Sequence, residues 1–260
     1  MTETRLWDRA AALPVAADGR HRAEIAALPR EIPSVPELFT FMRDAELRFA
    51  TLRMRIEERT IGSRGEQLVN ISVALRHPGA ARVTTAAGPP GAGGSFETWI
   101  SDGEIVRTYS RAHSLGTSRP VRPRPRGLDD ADFPGTAQVY RPLTPLPAET
   151  LPETFVHPAG YCQNVLATGR VWISGTEIVH GREAIVVECD HPRVIEMAAD
   201  RPDFHITVAA DRDTGAIIRL VETIAGDVTR FADAVVFEPD ASLPAGTFEF
   251  QFPDGTTMLY

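Results

Sequence analysis

The chain predicts a mainly β protein with helical cover, an α+β fold built on one large antiparallel sheet or barrel. Three observations carry this. Segments alternating apolar and polar residues recur at short spacing, with turn residues between them, to a total of about 10–11 strands. Strand–helix–strand alternation is absent, which argues against a parallel nucleotide-binding sheet. Only one segment before the midpoint has a clear helical period.

Residues 1–33 mix Ala, Arg and Pro without a sustained period and read as an N-terminal arm. Ser34 stands three residues before Glu37 with Pro36 in the first turn, a capping box that opens a helix. Leu38, Phe41, Met42, Ala45, Phe49 and Leu52 then follow helical spacing, placing the helix at about residues 35–50. From Thr51 the period becomes two, with Leu52, Met54 and Ile56 alternating with Arg53, Arg55 and Glu57. Gly62-Ser-Arg-Gly65 turns the chain into a strand carrying Val69, Ile71, Val73 and Leu75, which stops at His77-Pro78-Gly79. A third strand spans 81–87 and ends in the loop Gly88–Gly94, too rich in Gly and Pro for a strand. Strands at 96–101 and 104–109 flank Asp102-Gly103, a strong hairpin signal.

The texture then changes. Nine of the 40 residues from Arg119 to Pro158 are proline, a density that excludes regular strand pairing and marks a long crossover. It holds an arginine run (Arg119, Arg122, Arg124, Arg126), an acidic patch (Asp129, Asp130, Asp132) and a short helix at about 158–168. Strands resume at 170–179 and 182–189 around His180-Gly181. They continue at 204–210 and 216–224 around Asp211-Arg-Asp-Thr-Gly215, then at 228–238 and 248–252, with a last short piece at 258–260. Several are apolar on both faces: Val171 and Ile173 oppose Trp172, and Ala184 and Val186 oppose Ile185 and Val187. A sheet apolar on both sides must be covered on both. One helix and one proline-rich crossover are thin cover, so an apolar cavity between sheet and lid is expected.

Composition removes several function classes. The 260 residues, 43% of them apolar, carry a net charge of −8, and all 27 basic residues are arginine. Without lysine there is no Schiff-base, phosphate-loop-lysine or lysine-base chemistry. An acidic chain is also a poor prior for nucleic-acid binding. Cys162 and Cys189 have no metal-like spacing and read as buried free thiols. No apolar run reaches a membrane span. The first residues lack a basic and then apolar leader, so the sequence as it stands predicts a protein that stays where it is made.

Motifs for catalysis are absent: no G-x-S-x-G, H-E-x-x-H, C-x-x-C or phosphate-cradling glycine loop. His77, His157 and His191 each precede proline in a turn, and no histidines share metal-ligand spacing. Asp211–Gly215 reads as a hairpin turn in preference to a calcium loop. Asp129, Asp130 and Asp132 read as a solvated or neutralising patch beside the arginines. The arginine run reads first as a solvated loop and second as an anion or lipid head-group site. No metal and no cofactor is expected.

The order of these elements resembles a known family. The run Phe49-Ala-Thr-Leu-Arg-Met-Arg-Ile-Glu-Glu, the segment Leu75-Arg-His-Pro-Gly-Ala-Ala-Arg-Val83 and Glu97-Thr-Trp-Ile-Ser-Asp-Gly-Glu-Ile-Val106 come first. Val208-Ala-Ala-Asp-Arg-Asp-Thr-Gly-Ala-Ile-Ile-Arg-Leu220 and Phe248-Glu-Phe-Gln-Phe-Pro-Asp-Gly255 follow. In this sequence the order resembles the lipoprotein-carrier superfamily, LolA-like proteins with RseB-type sensor relatives, over about 35–110 and 165–256. The resemblance implies an open antiparallel half-barrel wrapped around a helical lid, a cavity for acyl chains, and export from the cytoplasm. Segment 112–158 has no counterpart in that pattern.

The expectation is therefore a non-enzymatic binder of a lipid or lipoprotein acyl chain, in one domain spanning 34–260. Burying a 16-carbon chain contributes on the order of 10 kcal/mol before binding costs and requires no charged residue. Phe41, Met42, Met54, Ile56, Val69, Ile71, Val73, Trp99, Trp172, Val187, Ile206, Val208 and Leu220 are expected to line the inner surface. Segment 112–168 is expected to be a mobile lid, since its prolines keep it out of the sheet and its apolar residues need a dry site. Those residues are Phe133, Val139, Tyr140, Leu143, Leu146, Leu151, Phe155 and Tyr161. The alternative is a regulatory protein-interaction module that contacts its partner through 112–158. Neither reading involves nucleic acid, and membrane contact is at most peripheral.

Overall fold

The computed structural model describes residues 28, 30–63, 65–88, 96–121, 142–193 and 201–259. Twelve strands form one sheet: β1 (Thr51–Gly62), β2 (Gly65–Arg76), β3 (Ala80–Ala87), β4 (Phe96–Asp102), β5 (Ile105–Ser110), β6 (Leu115–Pro120), β7 (Arg170–Val179), β8 (Arg182–Asp190), β9 (Phe204–Asp211), β10 (Ile217–Ile224), β11 (Asp227–Pro239) and β12 (Thr257–Leu259). The order is β12-β6-β5-β4-β3-β2-β1-β11-β10-β9-β8-β7. Two antiparallel meanders, β1–β6 and β7–β11, are thus joined through β1 and β11. The end strands do not pair, so the sheet stays an open half-barrel. The expected fold class is the observed one.

The turns follow the local chemistry. Gly103 has φ +100°, and His180-Gly181 has φ of +49° and +81°, the left-handed pair that closes a two-residue hairpin. Ser34 and Glu37 form the capping box at the start of α1 (Val35–Arg43). The helix expected to continue to 50 stops at Asp44, and a 3-10 turn, Ala45–Arg48, takes its place. The helix expected at 158–168 is two pieces, and an unpredicted helix, α2 (Leu151–Val156), precedes them: the two are α3 (Ala159–Asn164) and a 3-10 turn, Leu166–Thr168. Pro158, which has no N–H to give an α-helix, sits at the break.

Two expectations about the sheet are corrected. The sequence puts the crossover outside the sheet from residue 112 onward, yet β6 pairs with β5 from Leu115↔Ser110 to Pro120↔Ile105. Pro120 lies beyond the Leu115–Thr117 stretch that pairs with β12, so on that side it stands at an unpaired end of β6, and the proline-rich segment starts only after it. Residues 248–252 form no strand. Their aromatic side chains pack instead on the outer face: the Phe250 ring lies 5.9 Å from Tyr109 and 5.2 Å from Phe252. A Cβ on Gly116 would meet the Phe252 ring at 2.6 Å, so only glycine admits it. Alternating aromatics read as a strand whether they meet a pleated neighbour or lie across a sheet.

The helices cover the other face, and one continuous apolar core joins them to β1–β3 and β7–β11. Phe133, Val139, Tyr140, Arg122, Arg124, Arg126, Asp129, Asp130 and Asp132 lie outside the described residues, as do the arm before Leu28 and most of the glycine-rich loop.

Candidate functional site on the helix-covered face

Register fixes which side chains face the helices. Met54 pairs with Val73, Val73 with Val83 and Val83 with Trp99, so these share the inner face of β1–β4. Val187, Val208 and Leu220 are aligned likewise across β8–β10. Of the predicted lining, Phe41, Met42, Met54, Ile56, Ile71, Val73, Val187, Ile206, Val208 and Leu220 are buried in the core, and Val69 and Trp99 are partly buried against it. Val171, Ile173 and Ile224 are partly buried against the same core.

Trp172 is the exception and corrects the predicted lining. Its flanking residues Val171 and Ile173 face the core, and a period of two sends Trp172 to the other side. There it pairs with Glu188 and its ring lies 5.9 Å from that of His205. His205 is held at both ring nitrogens, Nδ1 2.8 Å from Asp190 and Nε2 2.7 Å from Glu188. Burial lowers its pKa, but the bonds to Asp190 and Glu188 outweigh that and the net shift is upward.

The described part of the crossover belongs to the core. Leu143, Leu146, Leu151 and Phe155 are buried, Phe155 completely, and Tyr161 is partly buried. A buried polar strap fastens it. Both Glu46 carboxylate oxygens accept from the Leu143 N–H at 3.0 Å, and Nδ1 of His157 lies 3.3 Å from Glu46. The other His157 nitrogen, 3.0 Å from the Thr144 carbonyl, must donate, since a carbonyl only accepts. The Thr144 hydroxyl meets His77 Nδ1 and the Gly79 N–H, both at 2.8 Å. Arg119, the one described member of the arginine run, is exposed on β6.

Charged residues interrupt the inner face toward one end. Arg230 donates from Nε to Glu58 at 2.7 Å and from Nη1 to Glu222 at 3.3 Å. Glu58 occupies the position after Leu52, Met54 and Ile56 in the inward series, and Glu222 follows Leu220. That break in the apolar alternation was visible in the sequence; the pairing that unites the three was not. The Tyr161 hydroxyl, on α3, is buried and has no hydrogen-bond partner among the described residues. Burial pushes its pKa up, and the nearby Glu222 carboxylate adds to the shift.

Both thiols are buried. Cys162 Sγ lies 3.9 Å from the Met42 sulfur, and Cys189 donates to the Leu166 carbonyl at 3.3 Å. Burial pushes Cys162 up to about 12 and Cys189 up to about 11, the latter with help from Asp190. Both are free. Among the described residues no three His, Cys, Asp or Glu side chains are grouped to hold a metal ion. None of the described helices is long and apolar enough to cross a membrane.

No family model and no curated protein matches the chain. Solved structures do. An uncharacterized conserved protein from Thermus thermophilus is 11% identical, with 86% of this chain and 98% of that chain covered and a TM-score of 0.46. MucB, in the Pseudomonas aeruginosa MucA/MucB complex, is 16% identical over 83% of this chain, with a TM-score of 0.45, and the match spans 61% of that chain. A LolA superfamily protein from Nitrosomonas europaea is 10% identical, with 84% and 99% covered and a TM-score of 0.33.

Proposed function

We propose that the chain is a non-enzymatic binder of an acyl-chain ligand, held between the inner face of the sheet and the helices. One observation carries this reading: among the described residues, part of the apolar inner face stays exposed. Val69 and Trp99 in one meander, and Val171, Ile173 and Ile224 in the other, pack against the core while keeping part of their surface exposed. Apolar surface beside a core is where an acyl chain gains about 0.8 kcal/mol per buried methylene. Both cysteine thiols are held protonated, so neither is a ready nucleophile. The test is native mass spectrometry and lipid extraction of the purified protein, followed by titration with a fluorescent acyl-chain probe. Co-purifying lipid or saturable uptake with Trp99 quenching supports the reading; a clean protein with no uptake overturns it.

A second reading, a protein-interaction module, is favoured by the sheet edge. Among the described residues β7 pairs only with β8 and exposes Ile178 on that edge strand, and an unpaired strand edge is a template for a partner's strand. In this reading segment 112–158 makes further contacts. Loss of a pull-down partner on deletion of 122–141, with acyl-chain uptake intact, would favour it.

A further inference from the structure

We infer that β7 is the seam of a symmetric homodimer, in which two copies of the chain pair antiparallel through this strand about a two-fold axis at Ile173. The inference rests on the interaction reading of this edge given above and names its partner as a second copy.

The faces of β7 follow from its register. Ile173 pairs with Val187, Thr176 with Ile185 and Ile178 with Glu183, whereas Gly175 pairs with Val186 and Glu177 with Ala184. Val187 and Ile185 belong to the core under the helices, so Val171, Ile173, Thr176 and Ile178 stand on the inner face. Arg170, Trp172, Gly175 and Glu177 stand on the outer face. The register shift between Ile173 and Gly175 makes this possible. In an unbroken strand Arg170 and Glu177, an odd number of residues apart, would fall on opposite faces; the extra residue at the bulge brings them to the same one. A bulge commonly blunts an edge, but this one leaves the strand complementary to itself.

A two-fold axis normal to a sheet keeps each face on its own side, so residues opposite one another across the seam must share a face. With Ile173 opposite its own copy and Ser174 left out as the bulge, Arg170 falls opposite the partner's Glu177. In the same register Val171 falls opposite the partner's Thr176, Trp172 opposite the partner's Gly175 and Ile178 opposite the partner's Gly169. Every pair shares a face, and three of them match in chemistry. Arg170 and Glu177 attract, and the symmetry makes that pair twice. Both are reachable, with 79% and 37% of their side chains exposed while bonded within the subunit to Asp190 and Arg219. Trp172 meets a glycine at which a Cβ would find nothing within 4 Å, so its ring has room. Ile178, 68% exposed, is the most exposed large apolar side chain among the described residues. It meets Gly169, whose backbone is extended. A large side chain laid over a strand glycine is favourable cross-strand packing. Slipping by one position sets inner residues against outer ones. Slipping by two sets Arg170 opposite Val179 or Gly175 and loses the charge pair.

The experiment is sedimentation equilibrium on the full chain up to about 100 μM, because one strand pair buries little surface and gives a weak dimer. A reversible monomer–dimer equilibrium is expected. Arg170→Glu and Glu177→Arg should each weaken it about 10-fold, since two attractive pairs become repulsive. The double variant Arg170→Glu/Glu177→Arg should return to within about 3-fold of the parent, a rescue that lost pairing inside the subunit cannot give. Ile173→Cys should cross-link to its own copy on mild oxidation, its Cα atoms being about 4.5–5.5 Å apart across the axis. Ile178→Cys, about 27 Å from its own copy in this register, should not. A parent that stays monomeric overturns the homodimer, as does a dimer that the single and double charge variants leave unaffected. A monomer whose pull-down partner is lost in Ile178→Lys overturns the homodimer alone and leaves the edge to a different protein. A monomer that captures no partner overturns the interaction reading as well.

Discussion

Gly215, in the turn between β9 and β10, lies against Phe41 of α1: a Cβ at Gly215 would stand 2.9 Å from Phe41 Cδ1 and 3.1 Å from the Cα of Met42. The residue has φ +81°, and the turn is braced by Asp211, whose Oδ2 accepts from the Thr214 N–H at 2.9 Å and its hydroxyl at 2.7 Å. Arg48 ties the two elements, donating to the Phe41 carbonyl at 2.7 Å and the Thr214 carbonyl at 3.1 Å. The Asp211–Gly215 motif is therefore the seat of the covering helix.

Gly215→Ala should be strongly destabilising, since it combines a left-handed backbone with a clash against helix atoms. About 2–4 kcal/mol is expected, lowering Tm by several degrees. Gly226→Ala is the control: φ is +88° but nothing lies within 4 Å, so only backbone strain of about 1 kcal/mol remains. Equal melting temperatures for the two variants would contradict the seating role.

Stability should depend on pH through His205. Its folded pKa is raised by Asp190 and Glu188 against the opposing effect of burial. A group with a raised folded pKa contributes fully below its unfolded value, about 6.5, and the contribution is lost as pH rises through the folded value. Between about pH 6 and pH 9 the urea midpoint of the parent should fall relative to that of His205→Gln. Parallel pH profiles for the two proteins would rule the clamp out.

Phe155→Ala distinguishes a core helix from a loose cover. Phe155 is completely buried in the same core as β1 and β9, so truncation should cost about 3–5 kcal/mol, as for other core phenylalanines. A loss under about 1 kcal/mol would restore α2 to the role of a detachable lid.

The thiols should be silent until the chain unfolds. With Cys162 pushed up to about 12 and Cys189 up to about 11 by burial, a thiol reagent at neutral pH should label neither in the native protein and both in urea. Rapid native labelling of either would mean that the α3 region opens readily.

Much of the sheet was legible because its signals are local. Alternation marks Thr51–Ile56 and Arg170–Val179, and Asp102-Gly103 and His180-Gly181 name their own hairpins. The failures share a cause. Leu115–Pro120 is a strand because β5 and β12 lie on either side of it, and no local pattern announces a neighbour. Residues 248–252 carry a strand's alternation but meet an outer sheet face beside Gly116 instead of a pairing edge. Trp172 reads onto the wrong face because Val171, Trp172 and Ile173 are apolar throughout, and such a run does not reveal its own parity.

The sequence by itself determined most of the strands, their antiparallel succession and most of the inward apolar series, since backbone sterics and period-two burial act within a few residues. Tertiary structure decided what depends on distant pairing. It joined β1 to β11 and thereby brought Glu58 to Arg230, 172 residues away. It also set Glu46 beside His157 and put Gly215 under Phe41. Charge pairing and close packing act over a few ångströms of space, and only the folded register brings such residues within that range.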